Sequence, residues 1–229
     1  MSLGRRLIST GAGDAVCLTE SVQPFGADST YSSNTALYQL DSDGGTTNNV
    51  PDTTTNNNGT ASNITYASGY INNAAVFNGS SSAIVLPNNI LSSDCSISTW
   101  FNLDSNTGLH TLLEFDYENR ILFRTSSSDT NLAYIGNSNY FDHGLSFSTG
   151  QWYHLVITFS AGNPFKIYVD GVLSYTGGNT SVSAFNNDNI LGAANSSGGG
   201  GLDGKIDQVR IFNKAISAED VATLYNETP

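Results

Sequence analysis

The chain has 229 residues, a formal net charge of −12, 23 glycines and only 12% charged residues. This length is enough for one large domain, and such a composition is typical of β-strands joined by polar turns rather than of helical bundles. The acidic charge argues against nucleic acid or anionic membrane surfaces as partners, and no apolar run approaches the ~20 residues of a membrane-spanning helix, so no membrane insertion is predicted.

Residues 1–33 show no clear hydrophobic period and are predicted to be an N-terminal arm or attachment segment before a single domain at residues 34–229. The arm is expected either to bind a neighbouring subunit or assembly, or to form an edge strand with a loose tail. No continuous apolar segment follows its arginines, so no secretory signal peptide is predicted. Cys17 and Cys95 are interpreted as buried free thiols rather than as a disulfide.

Alternating apolar residues predict the first strands of the domain. Thr35–Leu40 alternates and is expected to be a strand, whereas Asp41–Thr60 is expected to be a long polar loop. Tyr70–Leu86 predicts a hairpin that turns at Asn78-Gly79, because this dipeptide favours a two-residue turn. Cys95–Leu103 predicts a further strand.

The middle of the chain predicts a second hairpin and one short strand. His110–Thr125 forms the hairpin, with its turn near Glu118-Asn119, and Leu132–Ile135 forms the strand. Ser126–Asn131 and Gly136–Gly144 are predicted to be polar loops.

The most regular segment is Trp152–Thr176, which predicts three adjacent antiparallel strands. Its first strand is apolar on both faces, as expected for a strand in the middle of a sheet that is covered on both sides. Trp152 and the earlier Trp100 are therefore predicted to be core residues, and His154 a hydrogen-bonded core group. Asp170-Gly171 provides the positive φ angles of a tight hairpin turn.

Gly204–Tyr225 at the C-terminal end predicts one more strand and then a short helix. Ser217 is the expected N-cap of the helix, with Asp220 at the capping-box position. The apolar members of the strand are Ile206, Val209 and Ile211.

Several motifs resemble the laminin-G-like jelly rolls of the concanavalin A-like lectin/glucanase superfamily. They are W-x-H-x-V at residues 152–156 followed by IYVDG, and the C-terminal GKIDQVRIFNKAISAEDVATLYN. Ala-x-x-Phe-Asn-Gly at residues 74–79 and the Ile-Ser-x-Trp strand also match, so the resemblance covers roughly residues 35–227. It implies an all-β fold, an antiparallel β-sandwich jelly roll with one short C-terminal helix.

Three acids alternate at Glu114, Asp116 and Glu118. On a strand, residues two apart share one face at about 6.6–6.8 Å, so these carboxylates would line one surface. The spacing resembles the Glu-x-Asp-x-Glu strand of family 16 β-glucanases, which implies a nucleophile, an electrostatic helper and an acid/base in that order. Asn119 places the third acid near a turn, however, and the C-terminal motif belongs to a mostly non-catalytic branch. The protein is therefore predicted not to be an enzyme, with glycoside hydrolysis as the alternative.

The resemblance also implies a structural Ca²⁺ ion, because many relatives carry one. Asp207 lies in the matching GKIDQVRI motif, and Asp41, Asp43 and Asp52 are acids of the predicted loop that could supply further oxygen ligands. Asp207, Asp52 and Asp41 are the predicted metal ligands. The three histidines show no ligand-spaced pair, so no zinc site is predicted.

The densest loop cluster of aromatic, amide and acidic residues lies between positions 134 and 143. Aromatic rings stack on the C–H faces of sugars, while amides and carboxylates bind their hydroxyl groups. The predicted carbohydrate-binding residues are Tyr134, Asn137, Asn139, Tyr140, Asp142 and His143.

Together these features predict a non-enzymatic recognition or decoration module that contacts cell-surface carbohydrate. A lectin-like domain without a predicted Sec signal fits a virion or extracellular protein, such as a phage tail fibre, spike or capsid decoration. The N-terminal arm would then bind neighbouring virion proteins, and a homo-oligomer is expected. A structural coat or cement protein without a ligand is the alternative.

Overall fold

A computed structural model describes residues 6–8, 16–18, 34–43, 45, 48–54, 57–88, 90–105, 108–115, 120–125, 132–134, 140–142, 144–179 and 189–227. The chain divides into two compact units, Met1–Ser32 and Ser33–Pro229. The first unit contains a small antiparallel sheet of two strands, β1 (Arg6–Ile8) and β2 (Val16–Leu18).

The described part of the second unit consists of antiparallel strands and one helix, as the sequence predicts. The strands are β3 (Asn34–Tyr38), β4 (Asn49–Val50), β5 (Gly59–Ser62), β6 (Thr65–Ser68), β7 (Asn73–Asn78), β8 (Ala83–Leu86), β9 (Cys95–Leu103), β10 (Gly108–Glu114), β11 (Arg120–Thr125), β12 (Leu132–Tyr134), β13 (Tyr140–Asp142), β14 (Trp152–Phe159), β15 (Pro164–Val169), β16 (Val172–Asn179), β17 (Asn189–Leu191) and β18 (Asp203–Phe212). The helix is α1 (Ala218–Tyr225).

These strands form two sheets. Sheet 1 has the order β13-β12-β11-β10-β17-β8-β5-β4. Sheet 2 has the order β16-β15-β14-β9-β18-β7-β6, and β3 pairs with the second half of β18. The predicted β-sandwich is confirmed, and the three strands predicted within Trp152–Thr176 are β14, β15 and β16.

The hydrophobic core lies between the inner faces of the two sheets. In β9 and β14 every second residue points into it; this was predicted for β9, whereas both faces of β14 were predicted to be covered. Cys95, at the start of β9, is a buried free thiol, as expected. The buried inward residues of these two central strands are Ile97, Phe101, Leu103, Leu155, Ile157 and Phe159.

The helix begins where its sequence signal predicts. The Ser217 side chain accepts a hydrogen bond from the Asp220 N–H, and the Asp220 carboxylate accepts one from the Ser217 N–H, which completes a capping box. Val221 and Leu224 are buried. Within the described part of the chain, no helix has the length and apolar character needed to cross a membrane.

Two segments that were predicted to be loops contain strands, so these two predictions were wrong in part. The loop predicted at Asp41–Thr60 contains β4 and the beginning of β5, and the loop predicted at Gly136–Gly144 contains β13. Both β4 and β13 are edge strands of only two or three residues. Such short edge strands need no apolar alternation, so no sequence period marks them. The predicted turn at Glu118-Asn119 and the whole predicted loop at Ser126–Asn131 lie outside the described residues.

A bulge in β18 decides which of its residues face outward. Asp207 pairs with Trp100 of β9, and Arg210 pairs with Ser98, so one extra residue is accommodated between them. Gln208 takes the left-handed conformation there, with φ of 51°. As a result Asp207 and Arg210 lie on the same face of sheet 2, although they are three residues apart.

Candidate functional site

The face of sheet 2 that points away from sheet 1, here called the outer face, carries a layer of polar and aromatic side chains. Trp100 is buried there beneath Tyr70, with ring centroids 3.5 Å apart and an angle of 11° between the rings. Tyr225 of α1 also stacks on Trp100, at 5.7 Å. Trp152 meets the edge of Tyr70 at 6.4 Å and 65°. We call these four residues the aromatic stack.

The position of Trp152 corrects its prediction as a core residue. Its neighbour Tyr153 packs toward the core, so Trp152 faces outward and stays half-buried. Trp100 is buried as predicted, but it is covered by Tyr70 and Tyr225 rather than by sheet 1. The eight-residue helix α1 covers Trp100 through Tyr225, whereas Trp152 meets the edge of Tyr70.

A second part of the outer face lies beneath the helix and holds buried charges. Arg210 is 2% exposed, and its Nη2 lies 2.6 Å from Glu227 Oε2 just after the helix. The same nitrogen donates to the Gln208 side-chain oxygen at 3.3 Å. Burial raises the pKa of Glu227, and the Arg210 guanidinium partly opposes this rise.

His154 is fully buried in the same layer. Its Nε2 lies 2.9 Å from Ser98 Oγ, and among the described residues its Nδ1 has no hydrogen-bond partner. Burial, reinforced by the nearby Arg210 charge, lowers the pKa of His154 to about 3, so the ring is neutral at physiological pH. Because the Ser98 hydroxyl is also fully buried, this Ser–His pair has no access to a substrate.

Asp207 is a fully buried acid beside the loop that joins β6 to β7. Its Oδ2 accepts a hydrogen bond from the Ile71 N–H at 2.9 Å, whereas Oδ1 has no partner among the described residues. Burial raises the pKa of Asp207 to about 7, and the nearby Asp41 carboxylate raises it further, against the effect of backbone donors such as Ile71. The structure thus brings together two of the three predicted metal ligands.

The backbone around these two acids is unusual. Leu40 and Asn72 have φ angles of 61° and 57°, and Gln208 lies in the same left-handed region. The left-handed conformation costs a leucine about 1–2 kcal/mol, so other contacts must hold Leu40 in it. Asp41 supplies some of them, because its Oδ1 accepts the Asn73 N–H at 3.1 Å.

The third predicted metal ligand has another role. Asp52 Oδ1 accepts hydrogen bonds from the Leu37 and Thr54 N–H groups, and Oδ2 accepts one from the Asn57 N–H. Both carboxylate oxygens of Asp52 therefore accept hydrogen bonds that hold the loop before β5 in place, and Asp52 is not grouped with Asp207. Asp43 likewise accepts a local hydrogen bond from the Gly45 N–H. The described residues contain no group of three or more His, Cys, Asp or Glu arranged around one metal position.

A row of outward-facing residues continues from the aromatic stack across three neighbouring strands. Trp152 of β14 lies directly opposite Asn102 of β9, which in turn lies opposite Lys205 of β18. Asn102 is only 6% exposed, whereas Trp152 and Lys205 are half-buried. We call these three residues the outer row.

A match between the sequence and a family model shows the family to which the chain belongs. Residues 77–222 match a laminin G-type family model of the concanavalin A-like lectin/glucanases superfamily, and this match covers more than half of the chain. The chain belongs to this superfamily. The resemblance inferred from the sequence motifs is thereby confirmed.

Solved structures similar to this superfamily member include carbohydrate complexes. Domain 4 of AbnA, a GH43 extracellular arabinanase from Geobacillus stearothermophilus, in complex with arabinotriose, is 28% identical, with a TM-score of 0.70 and coverage of 84% of this chain and 98% of that chain. Trypanosoma rangeli sialidase in complex with sialic acid is 16% identical, with a TM-score of 0.68 and coverage of 98% and 35%. The binding domain of Paraclostridial Mosquitocidal Protein 1 is 17% identical, with a TM-score of 0.66 and coverage of 86% and 52%. The chain thus spans about half of the latter and a third of the sialidase. None of the curated proteins matches it in sequence.

The structure describes only part of the segment Glu114–Glu118, which resembles a catalytic strand. Glu114 ends β10, where it pairs with Arg120 of β11 and Ile190 of β17, and it is 1% exposed. Asp116 and Glu118 lie outside the described residues. The catalytic alternative therefore remains a prediction for those two acids.

Three of the six predicted sugar-binding residues lie at one end of sheet 1. Tyr134 of β12 pairs directly with Tyr140 of β13, and Asp142 pairs with Leu132. The remaining three, Asn137, Asn139 and His143, lie outside the described residues. This site also remains a prediction.

Sequence reasoning missed the outer row and the buried Arg210. The sequence did contain a signal for Arg210. The apolar residues Ile206 and Val209 are three residues apart, and two residues at this spacing cannot both face inward in a regular strand, so a bulge is indicated. The outer row had none, since its three members are aligned only by the order of β14, β9 and β18 in the sheet.

Proposed function

We propose that this protein is a non-enzymatic carbohydrate-recognition domain. The observation that carries the proposal is the similarity to domain 4 of the arabinanase, because that domain matches over 98% of its length and its structure contains arabinotriose. The match is thus to a complete domain with a bound oligosaccharide. The half-buried Trp152 and Tyr70 support the proposal, since exposed aromatic rings suit the C–H faces of sugars.

The burial of Glu114 supports recognition rather than hydrolysis. A retaining glycosidase needs two carboxyl groups about 5–5.5 Å apart, both in contact with the scissile bond of the substrate. Glu114 is the acid that the resemblance assigns as nucleophile, and with 1% of its surface exposed it is not accessible to a polysaccharide chain.

The test is retention of the purified protein on immobilised arabinan, other plant and bacterial polysaccharides, and sialylated glycans, with new reducing ends measured in the same wells. We expect retention on at least one glycan without cleavage, and unchanged retention by a Glu114→Gln variant. Reducing ends that appear with the wild type and vanish with the variant would establish a hydrolase instead. Absence of retention on every glycan would contradict the proposal.

We also propose that a Ca²⁺ ion binds beside Asp207 and Asp41. The support is the buried Asp207 Oδ1, which has no partner among the described residues, together with a second carboxylate close enough to raise the pKa of Asp207. Calcium accepts six to eight oxygen ligands, so backbone carbonyls and water would have to complete the shell around these two acids. Asp52 is not part of this site, because its two oxygens accept hydrogen bonds from the Leu37 N–H of β3 and from the Asn57 N–H of its own loop.

Thermal unfolding in excess Ca²⁺ and in chelator tests this ion. We expect Ca²⁺ to raise the melting temperature of the wild type, because a ligand that binds only the folded state stabilises it by about 2.7 kcal/mol at 100 times its Kd. The rise should disappear in an Asp207→Asn variant and persist in an Asp43→Asn variant, whose carboxylate is engaged in a local turn. Equal melting temperatures of the wild type in Ca²⁺ and in chelator would contradict the site.

A further inference from the structure

We infer that the sugar binds on the outer face of sheet 2, where the outer row meets the aromatic stack. The inference rests on the proposed function and assigns it a site. Trp152, Asn102 and Lys205 would contact one sugar ring of an oligosaccharide, with Tyr70 beside it. This place differs from the end of sheet 1, where Tyr134 and Tyr140 lie, two of the residues that the sequence predicts to bind sugar.

The dimensions of the outer row fit one sugar ring. Its members lie opposite one another on β14, β9 and β18, which are consecutive strands of sheet 2. Neighbouring strands are about 4.8 Å apart, so Trp152 and Lys205 are separated by about 10 Å at the backbone. Asn102 lies between them and is the most buried of the three.

The aromatic rings at this place are held in position before any ligand arrives. Tyr70 is stacked on the buried Trp100, and Trp152 meets Tyr70 at an angle of 65°. Two half-buried rings at this angle offer one face and one edge to a ligand. Because these rings are already ordered by their contacts, binding would cost little side-chain entropy.

The polar members of the outer row are available to a ligand. Within the described residues, the Asn102 side-chain amide makes no hydrogen bond although the residue is 6% exposed, and Lys205 forms no salt bridge. The Asn102 amide keeps contact with solvent, so a ligand that accepts its N–H would replace a water molecule there. Asn102 and Lys205 are therefore able to bind a ligand without breaking a contact within the described residues.

The chemistry of these groups favours a ligand rich in oxygen acceptors. The Lys205 ammonium only donates hydrogen bonds, and the Asn102 amide and the Trp152 indole N–H donate as well. Hydroxyl and carboxylate oxygens of a sugar ring meet these donors, while its C–H face meets the aromatic rings. A positive charge that has no salt bridge in the described part of the chain, in a protein of net charge −12, also suits such oxygens.

The experiment measures the affinity of the wild type and of four variants for arabinotriose and 3′-sialyllactose. We expect Trp152→Ala and Lys205→Met each to weaken binding of the retained probe by roughly tenfold or more, equivalent to about 1.4 kcal/mol. Trp152→Phe should recover part of the affinity, because it restores an aromatic face. Lys166→Met, at an exposed lysine of β15 in the same sheet, is the matched control and should bind as the wild type does.

The outcomes separate the two proposals. If the wild type binds a probe and both Trp152→Ala and Lys205→Met bind it equally well, the site is elsewhere and the inference is overturned while the proposed function stands. If the wild type binds neither these probes nor any immobilised glycan, the proposed function is overturned, and the inference with it. Melting temperatures of all variants establish that loss of binding is not loss of folding, and Lys205→Met, at a half-buried surface lysine, keeps the test valid if Trp152→Ala unfolds.

Discussion

Lowering the pH from 7 to 4 is expected to destabilise the protein through His154 by roughly 3 kcal/mol. The ring is fully buried, and its folded-state pKa of about 3 lies below the ~6.5 of an unfolded chain. Between these two pKa values the unfolded state therefore binds a proton at His154, whereas the folded state does not. The stability from this depressed pKa is fully present above pH 6.5 and is lost as the pH falls toward 3.

The difference between wild type and His154→Gln isolates this effect. Buried acids with raised pKa values, Asp207 and Glu227, change the pH profile in the opposite sense but are present in both proteins. Glutamine keeps a hydrogen-bonding group near Ser98 and does not titrate. Urea unfolding at several pH values should show the wild type losing its advantage over the variant as the pH falls. Parallel stability profiles from pH 7 to pH 4 would contradict a buried neutral His154.

The Arg210→Met variant is expected to lose about 3–5 kcal/mol of folding free energy, the usual cost of breaking a buried ion pair from one side. Its partner Glu227 is 12% exposed and would retain a buried carboxylate without its counter-charge. Because Arg210 opposes the burial-driven rise in the pKa of Glu227, that pKa should rise further in the variant. Denaturant unfolding at pH 7 measures the loss.

A matched control and a double variant complete this test. Lys166→Met removes a cation from an exposed position of the same sheet and should change stability by less than about 0.5 kcal/mol. Arg210→Met combined with Glu227→Leu should recover most of the lost stability, because two apolar side chains leave no unpaired charge. A single Arg210→Met variant as stable as the wild type would mean that the pair does not hold the end of the helix against sheet 2.

The central strands and the helix could be predicted because their signals are local. In β9 and β14 the inward residues recur every second position, and at the helix Ser217 and Asp220 satisfy each other's backbone N–H groups. These patterns depend on neighbouring residues only. They identified the core-facing residues of β9 and the start of α1, whereas for β14 both faces were predicted to be covered.

The candidate site could be predicted only in part, because it depends on which strands become neighbours. Asp207 was proposed as a ligand from its motif and Asp41 as an acid of the predicted loop, and the pairing of β3 with β18 brings these distant segments together. Trp152 was assigned to the core because an apolar outer face usually means a covered one. Here the layer that covers the outer face of sheet 2 ends at the aromatic stack. No local sequence pattern indicates how much of that face a short helix covers.

The structure of a complex tests the central claim most directly. Crystals of the protein grown with the best-retained oligosaccharide should contain one sugar ring against Trp152, with hydroxyl or carboxylate oxygens within hydrogen-bond distance of Asn102 and Lys205, and an intact glycosidic bond. A sugar bound instead at the end of sheet 1 near Tyr134 and Tyr140, or cleaved beside Glu114, would contradict the claim that the outer face of sheet 2 is a non-catalytic recognition surface.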